Sequence, residues 1–422
     1  MAKKLITRNI LKALQLVRAQ ESISRSQVGE KLGASPFLVS QICDALLGAG
    51  FITEAGLGDS TGGRRPTLLS LRKGFGRIVG VHFGSFNVRI ALTDFGGTLI
   101  EYLKDESKAS HGPEVALHHL FQLIDRVLEK AGIGYSELDG IGIGVSGVLD
   151  RSTGQILFWP KLPLWVNVPI KHMLEERYKT LVELDDTSRT RAYAESRLGG
   201  AGWANHFVYI SSGAGVGAAL FLNGQLYSGA AGFAGEFGHM TVSEEGPLCS
   251  CGNRGCLETM VSAWTLIRKA RQGLDDGLSN TLKKMTQDSP ESLSVEMIAK
   301  AARNGDRFSR RLLSEAGMYL GRGIVGLVNL LNPELIVIGA AMASAAGDLL
   351  LPEIERVVQD RAMILGEHQV KIQISKLDEK EWAIGASFQV AEKALINAFL
   401  RFQEKKKRIV RSPAVRSSKD DL

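Results

Sequence analysis

Three cysteines and one histidine lie close together in the second half of the chain, where they could bind a metal ion. Cys249, Cys251 and Cys256 fall within eight positions, and His239 lies ten residues before the first of them. Three thiolates and one imidazole are a typical ligand set for a closed, tetrahedral zinc site. A chance group of reduced, buried cysteines is the alternative, but the chain has only four cysteines in all. The pattern therefore predicts structural Zn²⁺ held by these four side chains.

The same region carries a family resemblance. Glu-x-Gly-His at 236–239 is followed by Cys-x-Cys-Gly-x-x-Gly-Cys-x-Glu at 249–258. Together with the glycine-rich segment at 212–217, this motif resembles the signature of the ROK family, which comprises bacterial sugar kinases and sugar-responsive repressors. The resemblance extends from about residue 77 to about residue 400. It implies an actin-like, ribonuclease-H-like duplicated α/β sugar-kinase fold with a sugar cleft between its lobes.

Composition indicates a soluble protein of several domains. The length of 422 residues suggests two or three domains, and apolar and charged fractions of 44% and 23% are ordinary for globular proteins. No uninterrupted apolar run reaches the roughly eighteen residues of a membrane span, and basic residues interrupt the start of the chain. Neither a membrane protein nor a signal peptide is predicted. Clustered thiols without a secretory signal indicate the cytoplasm.

Positive charge is concentrated at the two ends of the chain. Residues 1–77 hold 12 Lys and Arg against 5 Asp and Glu, a net charge of +7, and residues 401–422 hold 8 against 3, a net charge of +5. Because the whole chain carries +6, its middle carries −6. A basic end on a mildly acidic body is typical of a DNA-binding head on a metabolite-binding domain, although charge alone also fits a solvated surface.

The first 76 residues show the pattern of a winged helix-turn-helix domain. Apolar residues recur at helical spacing over 5–17, a short second helix is predicted over 24–32, and Gly33 marks a turn. Ser35 suits the N-cap and Pro36 the first position of a third helix that ends at 48–50. Segments 51–53 and 68–71 predict two strands of a wing around a glycine-rich loop. This order of elements indicates DNA binding.

The third helix and the wing are the predicted contacts with double-stranded operator DNA. The helix would enter the major groove, and paired arginines in the loop suit phosphates or the minor groove. A small protein-interaction domain is the alternative, but the Gly-Gly-Arg-Arg-Pro segment of the wing resembles ROK repressors, and the family's kinases generally lack this domain. The predicted DNA-contacting residues are Arg25, Ser35, Phe37, Ser40, Gln41, Arg64 and Arg65.

Alternating helices and strands after the head predict two α/β lobes. The first lobe is assigned to residues 77–200 together with a C-terminal helix at 384–402. The second lobe, with the zinc site, is assigned to residues 201–383. Residues 403–422 are basic and poor in apolar side chains, which predicts a disordered tail.

Two segments that a sugar kinase needs are altered. Phosphoryl transfer requires positioned phosphates and a base near the sugar hydroxyl. The resemblance places His82 where the family's kinases have Asp, and bulky Phe86 in a stretch that should approach phosphate. Aligned on the Ala-Glu pair at 194–195, the base falls on Thr187, which is far weaker than a carboxylate; a one-residue gap would restore Asp186. Kinase activity is predicted to be lost, and an active kinase with a DNA-binding head is the alternative.

The predicted sugar site is better preserved. The resemblance implies that Glu236, His239 and Glu258 contact sugar hydroxyls, joined by Asp186 and by Lys161 of the sugar loop. One ring nitrogen of His239 would bind zinc while the other faces the ligand. Zinc would then fix the geometry of the ligand site rather than activate water.

Two cations bear on the charge of the effector. Lys161 and Arg189 stand where the family often has asparagines. If they face the ligand, they predict an anionic effector, namely a sugar phosphate or a sugar acid. The alternative is that both cations pair with Asp185 and Asp186 instead. The sequence supports both alternatives about equally.

The combined pattern predicts a sugar-responsive, DNA-binding transcriptional regulator of the repressor type. It would act as a homodimer or higher homo-oligomer on a near-palindromic operator. Ligand binding in the cleft would close the lobes and change the separation of the heads. A protein whose body docks a partner from a transport system, with DNA binding secondary, is a further alternative.

Overall fold

The computed structural model describes residues 2–20, 22–59, 65–160, 162–287, 289–363 and 369–411. Arg64 and Lys161, both with predicted roles, lie outside these ranges. The described chain forms a head, two α/β lobes and a long C-terminal helix. No helix in these ranges is long and apolar enough to cross a membrane.

The head contains three helices and a small antiparallel sheet with the strand order β1-β3-β2. Its elements are α1 (Ala2–Ala19), β1 (Ile23–Ser24), α2 (Arg25–Leu32), α3 (Pro36–Gly48), β2 (Ile52–Leu57) and β3 (Thr67–Leu71). Ser24 and Gln27 form a capping box, in which each side-chain oxygen accepts from the other's main-chain N–H. Gly33 ends α2 with a left-handed φ of 60°, and the Ser35 hydroxyl accepts from the N–H of Leu38 to begin α3.

The first lobe is built on a five-stranded sheet. Its elements are β4 (Ile78–Phe83), β5 (Asn87–Thr93), β6 (Leu99–Glu106), α4 (Pro113–Lys130), β7 (Gly140–Val145), β8 (Val148–Asp150), β9 (Gln155–Trp159), β10 (Leu162–Val168), α5 (Ile170–Tyr178), β11 (Leu181–Asp186) and α6 (Thr187–Arg197). Strands β4 to β6 form an antiparallel meander, and β7 and β11 extend it in parallel, in the order β11-β7-β4-β5-β6. Strands β8 to β10 form a separate antiparallel sheet.

The second lobe repeats this plan. Its elements are β12 (Phe207–Ser212), β13 (Val216–Leu222), β14 (Gln225–Tyr227), α7 (Leu257–Val261), α8 (Ala263–Asp275), α9 (Asn280–Met285), α10 (Val295–Arg303), α11 (Arg307–Leu331), β15 (Leu335–Gly339), α12 (Ala341–Arg361) and β16 (Lys371–Ile374). The sheet again joins a three-stranded meander to two parallel strands, in the order β14-β13-β12-β15-β16. The duplicated α/β architecture predicted from the sequence is therefore confirmed.

The last helix, α13 (Glu379–Arg411), packs against the first-lobe sheet and against α6. The contact is made by main chain, because a Cβ at Gly80 or Gly142 would overlap the carbonyl oxygens of Ala383 and Ala386. Glycine at these strand positions permits a close approach that any larger residue would prevent. The C-terminal helix thus completes the first lobe, although it comes last in the chain.

The observed bounds of α13 correct the predicted domain limits. The helix begins at Glu379, inside the segment assigned to the second lobe, and not at 384. It continues to Arg411, so the prediction of disorder from residue 403 is wrong as far as that residue. The Gln, Glu, Lys and Arg residues of this segment are good helix formers, which explains the extension. The rest of the predicted tail, 412–422, lies outside the described residues.

The head is joined to α13 by an aromatic cluster. The ring of Phe51, just before β2, lies 4.8 Å from that of Phe75, 5.3 Å from that of Phe399 and 5.9 Å from that of Phe402. All three pairs meet edge to face, which is a favoured arrangement of aromatic rings. The core of the head is therefore continuous with one face of the C-terminal helix.

Replacing Phe51 with alanine should remove this contact. Phe51 is only 2% exposed, so Phe51→Ala should lower the free energy of unfolding by about 3–5 kcal/mol, the usual cost of deleting a buried ring. Urea denaturation measures the change. Phe37, which is 73% exposed, supplies the control, since Phe37→Ala should alter stability by less than about 0.5 kcal/mol. Equal effects of the two substitutions would contradict the docking of the head through Phe51.

Candidate metal and ligand site

The four predicted metal ligands converge in one loop of the second lobe. His239 ends a short helical turn, and the cysteines precede α7. A β-bridge between Thr241 and Cys256 folds the loop back on itself. Gly255 has a φ of 66°, and a Cβ there would collide with the carbonyl oxygen of Ser243. The sequence of this loop is thus suited to a tight main-chain fold around a small centre.

The distances between the ligand atoms suit a tetrahedral metal. Nδ1 of His239 lies 3.6 Å from Sγ of Cys249, and the sulfurs of Cys251 and Cys256 are also 3.6 Å apart. All four donor atoms lie within 4.8 Å of one another. Zinc–sulfur bonds of about 2.3 Å in tetrahedral geometry place two sulfurs roughly 3.8 Å apart. This group could hold a metal ion with little movement.

The thiols of this loop differ in how readily they lose a proton. Burial raises the pKa of Cys256 to about 12, with the neighbouring cysteines adding to the effect. A hydrogen bond from the main chain of Asn253 lowers the pKa of the exposed Cys251 to about 7. A cation at the centre would favour the thiolate form of all three cysteines, since metal binding displaces thiol protons.

The two ring nitrogens of His239 have different neighbours. Its Nε2 lies 3.9 Å from Oε2 of Glu236, so the two ring nitrogens point to different partners. Oε2 of Glu258 accepts a hydrogen bond of 2.9 Å from the main-chain N–H of Val216. The main-chain N–H of Leu257, next to Glu258, donates a hydrogen bond of 2.9 Å to the carbonyl oxygen of Met240, next to His239. The metal loop therefore fixes the positions of the predicted sugar-contacting side chains.

Asp186 stands on the first-lobe side and already uses both of its carboxylate oxygens. It caps α6, with Oδ1 accepting from the N–H groups of Ser188 at 2.8 Å and Arg189 at 3.1 Å. Its Oδ2 accepts from Nη2 of Arg151 at 3.0 Å. Burial and the adjacent Asp185 carboxylate raise the pKa of Asp186, while the arginines oppose this shift. The carboxylate therefore holds the start of α6 and pairs with Arg151.

Arg189 is committed to protein partners. Its Nε donates to Oδ2 of Asp185 at 2.9 Å, and its remaining nitrogens donate to the Tyr227 carbonyl and the Ser228 hydroxyl. The side chain is buried and crosses from the first lobe to the second. Of the two alternatives for Arg189, the structure has the ion pair with Asp185. Lys161 lies outside the described residues.

A buried group of one histidine and two arginines occupies the region of the predicted phosphate loop. Nε2 of His82 lies 3.2 Å from Nη2 of Arg191, whose Nη1 donates to the Ser211 hydroxyl at 2.7 Å. The Arg191 guanidinium lies 4.2 Å from the ring centroid of Trp382 in α13, and Arg89 lies 5.0 Å from the same ring. Burial lowers the pKa of His82 well below its usual value, and both arginines add to this effect. No local pattern in the sequence had pointed to Arg191 or Trp382.

Two further side chains of the predicted kinase segments can be placed. The exposed ring of Phe86 lies 5.8 Å from that of Trp264, so the hairpin of the first lobe contacts the start of α8 across the cleft. Thr187 is buried, and its hydroxyl lies 3.4 Å from that of Ser146.

The predicted DNA-contacting residues fall into two groups. Arg25 pairs with Asp44 at 2.8 Å and donates to the Ser40 hydroxyl at 3.1 Å, so α2 is tied to α3. The Ser35 side chain caps α3. Phe37, Gln41 and Arg65 are exposed and free to meet a partner at the start of α3 and beside the wing.

Comparison with known proteins places this site in a family. Residues 78–393 match the sequence model of the ROK family. The matched segment begins directly after the head. The chain is 33% identical to the xylose repressor of Caldicellulosiruptor bescii over 377 residues, which cover 89% of this chain and 94% of the relative. This match is longer than the family segment, so it includes residues outside the body.

Solved structures agree with this assignment. A ROK family transcriptional regulator, a homologue of the E. coli MLC protein, superposes with a TM-score of 0.77 at 24% identity, covering 95% of this chain and 99% of that one. A ROK family glucokinase from Streptomyces griseus, solved with glucose and AMPPNP, has a TM-score of 0.65 at 26% identity. The match covers 98% of the glucokinase chain but 74% of this chain. The chain belongs to the ROK family.

Proposed function

We propose that the protein is a sugar-responsive transcriptional repressor that acts in the cytoplasm. The observation that carries this proposal is the joining of a basic head, with a capped third helix and a wing, to a ROK body whose sugar-contacting residues stand around a metal loop. The xylose repressor of Caldicellulosiruptor bescii matches most of the chain, whereas the glucokinase structure leaves a quarter of it unmatched.

The head would bind operator DNA through α3 and the wing. Phe37 and Gln41 stand exposed on α3, next to Ser40, and Arg65 stands exposed at the wing. The net charge of +7 over residues 1–77 would attract the phosphate backbone. Two heads of a homodimer or higher homo-oligomer would read the two halves of a near-palindromic operator.

Several contacts support the loss of kinase activity. Phosphoryl transfer needs Mg²⁺ bound near the phosphates and a carboxylate free to take a proton. His82 stands uncharged where the family's kinases have Asp, and the Arg191 guanidinium lies 3.2 Å from its ring, which opposes the binding of a metal cation there. Both oxygens of Asp186 are engaged by the helix and by Arg151.

The effector would be a neutral sugar or sugar derivative held mainly by hydrogen-bond acceptors. Glu236 and Glu258 offer carboxylate oxygens as acceptors, and His239, whose Nδ1 would bind the metal, offers its Nε2–H as a donor. Both kinds of group suit sugar hydroxyls. Because Arg189 pairs with Asp185, it supports a neutral ligand rather than a sugar phosphate or sugar acid. Structural zinc at the cysteines and His239 would hold these groups in place without taking part in chemistry.

The body can report to the head through α6 and α13. Helix α6 starts at Asp186 in the ligand site and ends at Arg197. Arg18 in α1 is largely buried near Arg197. Burial lowers the pKa of Arg18 to about 10, and the positive charge of Arg197 lowers it further. Glu392 of α13 accepts from Gln15 at 2.6 Å and lies 3.8 Å from Arg18. A ligand-driven shift of α6 would therefore reach α1 directly.

The function is tested by operator binding with simultaneous measurement of ATP turnover. We expect the protein to bind the DNA upstream of its own gene and to release it with one sugar of a neutral and phosphorylated panel, without ATP hydrolysis. The Phe37→Ala and Arg65→Ala variants should weaken DNA binding while leaving sugar binding within about twofold. Sugar-dependent ATP hydrolysis would identify the protein as a kinase, and sugar binding without any DNA binding would also refute the proposal.

Removing a metal ligand should abolish the response to sugar. Cys256→Ser is expected to lose stoichiometric zinc, measured by elemental analysis, and to weaken sugar binding at least about tenfold because Glu258 follows Cys256 closely. The control is Cys43→Ala, which removes the buried cysteine of the head and should retain the metal. A Cys256→Ser variant that binds zinc and sugar normally would contradict the structural role of the metal.

Glu392 should be needed for communication but not for ligand binding. Glu392→Gln leaves the buried Arg18 and nearby Arg197 without this carboxylate, so α1 should dock less firmly. We expect sugar affinity, measured by calorimetry, to stay within about threefold, while the effect of sugar on operator affinity falls about fivefold or more. Asp348→Asn, which breaks an exposed pair with Arg303 far from the head, is the matched control. Unchanged coupling in Glu392→Gln would exclude this route.

A further inference from the structure

A cavity adjoins the proposed sugar site at His239. It has a volume of about 330 Å³, and His239 forms part of its wall. Strands β9 and β10 of the first lobe form one side, and Ser250 and Cys251 of the metal loop form the other. A volume of this size falls in the usual range of small-molecule sites, roughly 300–1,000 Å³.

The base of the cavity is rigid. Trp159 and Trp165 meet edge to face, with ring centroids 4.9 Å apart, and both are almost fully buried. The indole N–H of Trp165 donates to the carbonyl oxygen of Ala109 at 2.8 Å, and Phe83 packs against both rings. These side chains are fixed by the core of the first lobe, so the cavity does not depend on a mobile wall on this side.

The first-lobe wall presents apolar surface to water. Phe158 and Val166 stand opposite each other on β9 and β10, and they are 50% and 58% exposed. Both line the cavity, whereas the facing wall is polar, with Ser250 and His239. One side therefore suits an apolar face of a ligand and the other suits hydroxyl groups.

We propose that this cavity binds the second sugar ring of a disaccharide effector. A pyranose ring has a face of C–H groups that matches Phe158 and Val166, and a rim of hydroxyls that matches the polar wall. His239 belongs to both sites, because its Nε2 faces Glu236 while its ring borders the cavity. A ligand that extends from the first site past His239 thus enters the second. This inference rests on the proposed sugar response and specifies its ligand.

Binding of the second ring would also connect the two lobes. Phe158 and Val166 belong to the first lobe, whereas Ser250 and Cys251 belong to the metal loop of the second. A disaccharide would therefore contact both walls at once. A monosaccharide held in the first site would leave the apolar wall exposed to water, so only the disaccharide would bury it.

Calorimetry on the full-length protein with matched sugars tests the inference. The probes are D-xylose and xylobiose, D-glucose and cellobiose, and N-acetylglucosamine and its β-1,4-linked dimer. In one pair we expect the disaccharide to bind at least about tenfold more tightly than the monosaccharide. Phe158→Ala and Val166→Ser should each remove most of this preference while leaving the affinity for the monosaccharide within about threefold. Leu278→Ala, which removes an exposed apolar side chain outside the cavity, should change neither value.

The outcomes separate this inference from the proposed function. Monosaccharide binding that is as tight as disaccharide binding in every pair overturns the second-ring site but leaves a sugar-responsive repressor intact. A disaccharide preference that survives both cavity variants also overturns it. If none of the six sugars binds and none alters operator affinity, both proposals fail.

Discussion

The rest of the structure depends on a close main-chain contact between α13 and the sheet of the first lobe. Gly80 and Gly142 carry no side chain where the carbonyls of Ala383 and Ala386 approach, and a Cβ at Gly385 would overlap the carbonyl of Thr190 in α6. Three missing side chains thus bring a helix, a sheet and a second helix to contact distance. Since α13 is the last described element of the chain, the first lobe cannot be completed until nearly the whole sequence is available.

Through this contact, α13 links the proposed ligand site to the head. Helix α6 has eleven residues and begins at Asp186, so its other end lies about 16 Å away, beside Arg18 of the head. Helix α13 supports α6 along its side and holds Phe51 of the head at its far end. A packed core of this kind moves in discrete steps rather than by smooth deformation, so a ligand that prefers one lobe arrangement selects one position of the head.

The sequence was sufficient to predict which side chains come together where those side chains are close in the chain. The four side chains that could hold a metal, from His239 to Cys256, lie in one loop, and the caps at Ser24 and Ser35 act over three residues, so spacing alone indicated both groups. Spacing could not decide the role of Arg189, because an arginine four residues after Asp185 fits either an ion pair or a ligand contact. The start of α13 and the pairing of distant residues depend on tertiary packing, which no local pattern records.

Arg191 lies at the centre of a buried group of side chains that joins three parts of the body. Arg191 of α6 contacts Ser211 in the second lobe, His82 in the first and Trp382 in α13. Side chains of the protein therefore join the two lobes and α13 at this point. A kinase uses binding energy in the transition state, whereas a regulator needs only a difference in ligand affinity between two lobe arrangements. In the proposed repressor, the contacts of Arg191 join the lobes without any ligand, so a sugar effector would be the ligand that selects between lobe arrangements.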